Sequence, residues 1–84
     1  MKIELGRDAH KALTRRIPRR QAARILARIE ELAADPRARH LDVKPLHGRS
    51  DLRLRVGEYR VIFKIVGDTL IVTDVGPRGG VFSK

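Results

Sequence analysis

The feature that most constrains the fold is an alternation of apolar and polar residues in two adjoining runs. Leu52-Arg53-Leu54-Arg55-Val56 is the first, and Tyr59-Arg60-Val61-Ile62-Phe63-Lys64-Ile65 the second, with Gly57-Glu58 between them. A strand turns successive side chains to opposite faces, so this pattern suits two strands that bury one face and expose the other. A two-residue connection with glycine first fits a type II′ hairpin turn. The turn sets the register: Val56 opposite Tyr59, Arg55 opposite Arg60, Leu54 opposite Val61, Arg53 opposite Ile62. Leu52, Leu54, Val56, Tyr59, Val61, Phe63 and Ile65 then share one face. Arg53, Arg55 and Arg60 share the other.

Gly67-Asp68 separates this hairpin from a third run, Thr69-Leu70-Ile71-Val72-Thr73-Asp74-Val75, which predicts a three-stranded antiparallel meander. The same register logic puts Val75 beside Arg60, turns Asp74 to the opposite face, and brings Arg78 to the arginine end of the sheet. Arg78 to Phe82 adds a short final strand. In the first half, Lys2-Ile3-Glu4-Leu5 alternates and predicts an opening strand. From Arg7 to Arg16, Ala9, Ala12 and Leu13 lie on one helical face. Pro18 restarts the chain, since proline suits a first helical turn. Ala22, Ile25, Leu26, Ile29, Leu32 and Ala33 then recur at helical spacing, and Asp35 before Pro36 ends that helix. Arg37 to Asp51 reads mostly as loop. With 84 residues there is room for one core and no second domain. The expected fold is α+β, a single domain over residues 1–84 in the order β-α-α-β-β-β with an optional last strand. A helical hairpin packs on one face of a small antiparallel sheet.

Charge then points to a partner. The formal charge of +9 and pI near 11.3 are large for so short a chain and fit a polyanion: nucleic acid, an acidic protein or anionic lipid. The hairpin register makes this local. Like charges directly opposite on a sheet are destabilising, and the register places no acidic side chain on the face of Arg53, Arg55 and Arg60. A cluster of that kind, with Arg78 close by, is suited to bind phosphate. Other chemistries are excluded. No cysteine is present, which removes disulfides and thiolate sites. Glu30, Glu31 and Asp35 have no histidine at ligand spacing, so no metal is expected. Gly76 to Gly80 lacks the lysine–serine/threonine ending of a phosphate loop, and Ser50, Asp51 and His47 make no triad. The opening residues carry no apolar run like a signal peptide, and no stretch reaches the ~20 apolar residues of a membrane span; the expected location is the cytoplasm.

The run from Arg53 to Phe63 closely resembles the central hairpin of RelE-type toxins of the RelE/ParE superfamily. Pro45-Leu46-His47-Gly48 is similar to the turn that precedes that hairpin, and Val75-Gly76-Pro77-Arg78-Gly79-Gly80-Val81-Phe82 to the closing segment. The resemblance spans the chain, and its hairpin motif is the specific part. It implies the toxin of a type II toxin–antitoxin pair that enters the ribosomal decoding site and cuts messenger RNA there, the 2′-hydroxyl attacking the adjacent phosphate. It implies catalytic roles for Arg55, Arg60 and Arg78, with Arg60 and Arg78 stabilising transition-state charge. RNA-binding roles fall to Arg53, Lys44, His47 and Phe82. It also implies an acidic antitoxin, the ribosome and messenger RNA as partners, with no metal, cofactor or membrane.

Two positions depart from the family pattern. Phe82 stands where active members often have tyrosine, which keeps a ring able to stack on a base but loses its hydroxyl. Pro77 replaces a basic residue. Arginine stays protonated in proteins, so the proton-transfer candidates are His47, whose unperturbed pKa of ~6.5 suits the task, and secondarily the turn residue Glu58. His10 and His40 lie away from the cluster. Phe82 and Pro77 keep open the ParE branch, which inhibits DNA gyrase; the retained arginines argue for RNA cleavage. A non-catalytic nucleic-acid-binding module is the reading from a different class.

Overall fold

A computed structural model describes residues 1–48 and 50–77. The elements in chain order are β1 (Lys2–Leu5), α1 (Arg7–Lys11), a π-helical turn (Ala12–Arg16), α2 (Arg19–Ala34), β2 (Asp42–Pro45), β3 (Leu52–Val56), β4 (Tyr59–Val66) and β5 (Thr69–Pro77). The predicted final strand from Arg78 to Phe82 lies outside the described residues.

The first helix is shorter than its apolar spacing suggests. α1 passes into the π turn, marked by a 2.9 Å bond from the Ile17 N–H to the Ala12 carbonyl five residues back. Thr14 Oγ1 donates to the His10 carbonyl at 2.7 Å, a back-bond of the kind that bends helices. Ile17 is extended, as a residue before proline should be. α2 then runs from Arg19 to Ala34 and stops at an extended Asp35, again before proline. Its inward face is Ala22, Ile25, Ile29, Leu32 and Ala33. Leu26, expected on that face, is 37% exposed.

The sheet has the order β1-β5-β4-β3-β2. The β3–β4 register is the expected one, including Arg55 opposite Arg60. Gly57 has φ +58°, the left-handed value that the first position of a II′ turn requires. Gly57→Ala should cost about 1–2 kcal/mol in chemical denaturation. A cost near zero would show that the turn relaxes to another type.

Three features of the sheet correct the expectation. First, β1 pairs parallel with β5, so the sheet is mixed and not wholly antiparallel. Gly6 makes the join: its N–H donates to the Val72 carbonyl at 2.8 Å, and a Cβ there would lie 3.2 Å from that oxygen. Second, Asp42–Pro45, inside the segment expected to be loop, forms an edge strand on β3, with Asp42 opposite Arg55 and Lys44 opposite Arg53. Third, β5 bulges. Ile62 pairs with Asp74 and Phe63 with Val72, so Thr73 has no partner; its hydroxyl donates to the Ile62 carbonyl at 3.2 Å. One extra residue flips every side chain beyond it. Val75 therefore lies opposite Val61, not beside Arg60, and is buried in the core. Asp74 swings to the arginine face.

The helices cover the other face. Leu54, Val56, Val61 and Phe63 meet Leu70, Val72 and Val75 of β5 and Ile25, Ile29 and Leu32 of α2 in one core. Leu52 and Tyr59 pack at its margin. Ile65, expected on this face, is 38% exposed. Among the described residues no helix is long and apolar enough to cross a membrane.

Candidate nucleic-acid interface

Strands β3 and β4 present Arg53, Arg55 and Arg60 on the sheet face away from the helices. A two-residue turn makes Val56–Tyr59 the hydrogen-bonded pair, which leaves Arg55–Arg60 as the closer pair, with Cα atoms about 4.5 Å apart. The hairpin thus holds two guanidinium stems side by side. Arg60 is half-buried and its Nε is shut off from solvent. Arg53 is only 9% exposed.

The face is not purely basic. Arg53 Nη2 lies 3.3 Å from Asp42 Oδ1, and Asp42 stands directly across from Arg55. Asp74 shares the face through its pairing with Ile62, but its Oδ1 accepts the Val75 backbone N–H at 2.9 Å. The expectation of a face without carboxylates is therefore wrong on two counts. Asp42 holds Arg53 in place and offsets part of the repulsion that the arginines would otherwise feel. The alternation in Leu41-Asp42-Val43-Lys44 was a readable sign of β2. Asp74 had no such sign, because a bulge breaks the period.

The structure brings Arg53, Arg55, Arg60 and Lys44 onto one face. His47 is not brought to the Arg55–Arg60 pair. It is exposed in the turn beyond the Pro45–Leu52 pair, past the far end of β3, and Leu52 itself is already about 10 Å from Arg55 by strand rise. Glu58 is exposed at the hairpin tip. Arg78 and Phe82 lie outside the described residues. A groove of about 540 Å³ lies between the first helix and α2, lined by Leu13, Thr14, Ile17, Arg19, Ala22, Ala23 and Leu26. It is on the helical side and holds no pair of groups suited to proton transfer.

Glu31 also departs from expectation, since it does have a histidine beside it. His40 Nε2 is 2.6 Å from its Oε1, and Arg28 Nη1 is 3.0 Å from its Oε2. Among the described residues no group of three His, Cys, Asp or Glu side chains could hold a metal. The hydrogen bond from His40 first, and the charge of Arg28 after it, hold the Glu31 carboxyl below its ordinary value of 4.5. A carboxyl with a lowered folded pKa adds stability that is present above the unfolded pKa and is lost as pH falls through the folded one. His40→Ala should therefore move the Glu31 midpoint up toward 4.5, read by NMR of the side-chain carboxyl carbon. An unmoved midpoint would mean that the His40–Glu31 bond does not hold in solution.

A helical hairpin on one face of a small five-stranded mixed sheet is a fold shared with solved RelE-type toxin structures. The chain is similar to a chain of the RelB–RelE antitoxin–toxin complex of Methanococcus jannaschii, with 28% identity, TM-score 0.76 and 94% of each chain covered. It is similar also to one of the archaeal RelE–RelB complex of Pyrococcus horikoshii, with 26% identity, TM-score 0.77, and 94% of this chain and 96% of that one covered. The isolated Escherichia coli RelE toxin shares the fold at 18% identity, with TM-score 0.72, over 98% of this chain and 90% of that one. No curated protein sequence matches. The model of the family described as "ParE toxin of type II toxin-antitoxin system, parDE" matches residues 4–82. The chain belongs to this toxin family, within the RelE/ParE superfamily.

Proposed function

We propose that this toxin acts in the cytoplasm as a ribosome-dependent, metal-independent endoribonuclease that cuts messenger RNA and stops translation. The observation that carries the reading is the Arg55–Arg60 pair on the sheet face away from the helices. The 2′-oxygen attacks the adjacent phosphorus and its proton leaves; the bond from phosphorus to the 5′-oxygen breaks, and that oxygen takes up a proton. The products are a cyclic phosphate and a 5′-hydroxyl. Negative charge gathers on the phosphorane-like transition state. Guanidinium groups already fixed by a hairpin can stabilise it without reorganising. Arg60 and Arg55 take that role, together with Arg78. Arg53, steadied by Asp42, and Lys44 hold the flanking backbone. Phe82 offers a ring for base stacking, and His47 lies where it would contact RNA away from the cut. With His47 at the far end of β3, most of the rate enhancement falls to in-line positioning and charge stabilisation.

The partner in the resting state is an acidic antitoxin. Two of the solved structures that hold similar chains are antitoxin–toxin complexes, and the +9 charge and the two sheet edges, β1 and β2, suit an acidic segment that adds a strand or a helix. Inhibition of DNA gyrase is the second reading. It is favoured by the family whose model matches and by the two carboxylates on the arginine face.

Controlled expression in bacteria, with mapping of messenger RNA 5′ ends on translating ribosomes, tests the proposal. Growth arrest with new 5′-hydroxyl ends inside codons is expected. Arrest with intact messages and DNA damage would replace it by the gyrase reading. Neither arrest nor cuts would leave a binding module.

A further inference from the structure

α2 carries a second arginine array that the cleavage reading does not use. Arg20 and Arg24 are one helical turn apart, on one flank of α2, and both are exposed. A Cβ built on Gly57 would sit 3.3 Å from Arg24 Nη1, so this guanidinium rests against the tip of the β3–β4 hairpin. Arg55 and Arg60 are the first pair behind that tip on the open face. The two arginine groups meet around one corner of the molecule.

Folding alone would not choose this arrangement. The first turn of α2 holds no acidic residue, and its last turn no basic one, whereas the helix dipole favours the reverse. Arg20 and Arg24 also repel each other at their four-residue spacing. Arg28 and His40 pair with Glu31 and Arg53 with Asp42, but among the described residues no ion pair engages Arg19, Arg20 or Arg24. The row ends at Arg28, held by Glu31 at 3.0 Å.

We propose that Arg20 and Arg24 bind the phosphate backbone of single-stranded RNA, namely the strand whose scissile bond meets Arg55 and Arg60. The strand leaves the sheet face around the Gly57–Glu58 tip. This rests on the RNA-cleaving reading. The track turns a corner, which a flexible single strand can follow and a stiff duplex cannot. An amphipathic protein helix would need apolar anchors. The apolar groove lined by Leu13, Ile17, Ala22 and Leu26 is on the other flank of α2.

The test is fluorescence anisotropy of RNA oligonucleotides of increasing length, at several salt concentrations, with wild type, Arg55→Gln and the double variant Arg20→Gln/Arg24→Gln. Arg55→Gln should weaken binding at every length. The double variant should leave the shortest oligonucleotides unaffected. For long ones it should flatten the log–log salt slope by about 1.4, at about 0.7 for each phosphate that the variant no longer neutralises. If Arg55→Gln weakens binding but the double variant leaves all slopes unchanged, this inference fails and the cleavage reading stands. The inference fails likewise if the double variant loses affinity only for duplex RNA or only for an acidic polyglutamate peptide. Wild type that binds no RNA at any salt would sink this inference, while the mapping of 5′ ends on ribosomes decides the cleavage reading by itself.

Discussion

Arg60→Ala should slow cleavage of ribosome-bound message about 100- to 1,000-fold, the range found when one preorganised donor to a developing oxyanion is removed, or about 3–4 kcal/mol of barrier. Arg60 stands in the pair nearest the hairpin turn, is half-buried, and is directly opposite a second arginine. A side chain so placed loses little freedom when it meets a phosphate, so its contribution should appear in the chemical step. Single-turnover rates at saturating ribosomes measure this. Arg60→Lys keeps the charge but not the planar fork and should fall between the two. Because Arg60 is packed against the sheet, a thermal melt of each variant must accompany the rates. If folded Arg60→Ala cuts within about twofold of wild type, Arg60 does not stabilise the transition state.

Phe63→Ala should destabilise the domain by about 3–5 kcal/mol, the usual cost of emptying a buried aromatic site. Phe63 is 1% exposed, and Leu54 and Val61 beside it are fully buried. It pairs with Leu52 on β3 and with Val72 on β5, so it packs between the central strands and α2. Domains of this kind have a total stability of about 5–15 kcal/mol. The variant should therefore unfold early in urea or be largely unfolded without it. Phe63→Leu, which keeps most of the volume, should cost less than about 1.5 kcal/mol. A loss below about 1 kcal/mol for Phe63→Ala would show that the core is not centred on this ring.

Much of the fold was legible from local pattern. The β3–β4 hairpin, its register and the Arg55–Arg60 pair follow from a period of two and a glycine-first turn. The start of α2 follows from Pro18 and its end from Pro36, whereas the early passage of α1 into a π turn carried no such mark. What was not legible came from packing between distant parts of the chain. Thr73 carries no mark of a bulge. The bulge lets both Val72 and Val75, three residues apart, face the core, and only the packed structure makes that demand. Its by-product is Asp74 on the arginine face. His40 could not be joined to Glu31 without the path of the loop that follows α2.

The sequence by itself determined the hairpin, the two helices and the central arginines, because alternation, turn geometry and proline act over a few residues and need no distant partner. Only the tertiary structure decided the parallel β1–β5 pairing, the edge strand β2 with its Asp42–Arg53 ion pair, and the face on which Asp74 lies. Those depend on which surfaces become buried when the whole chain closes around one core, and burial is a property of the assembled chain rather than of any short segment within it.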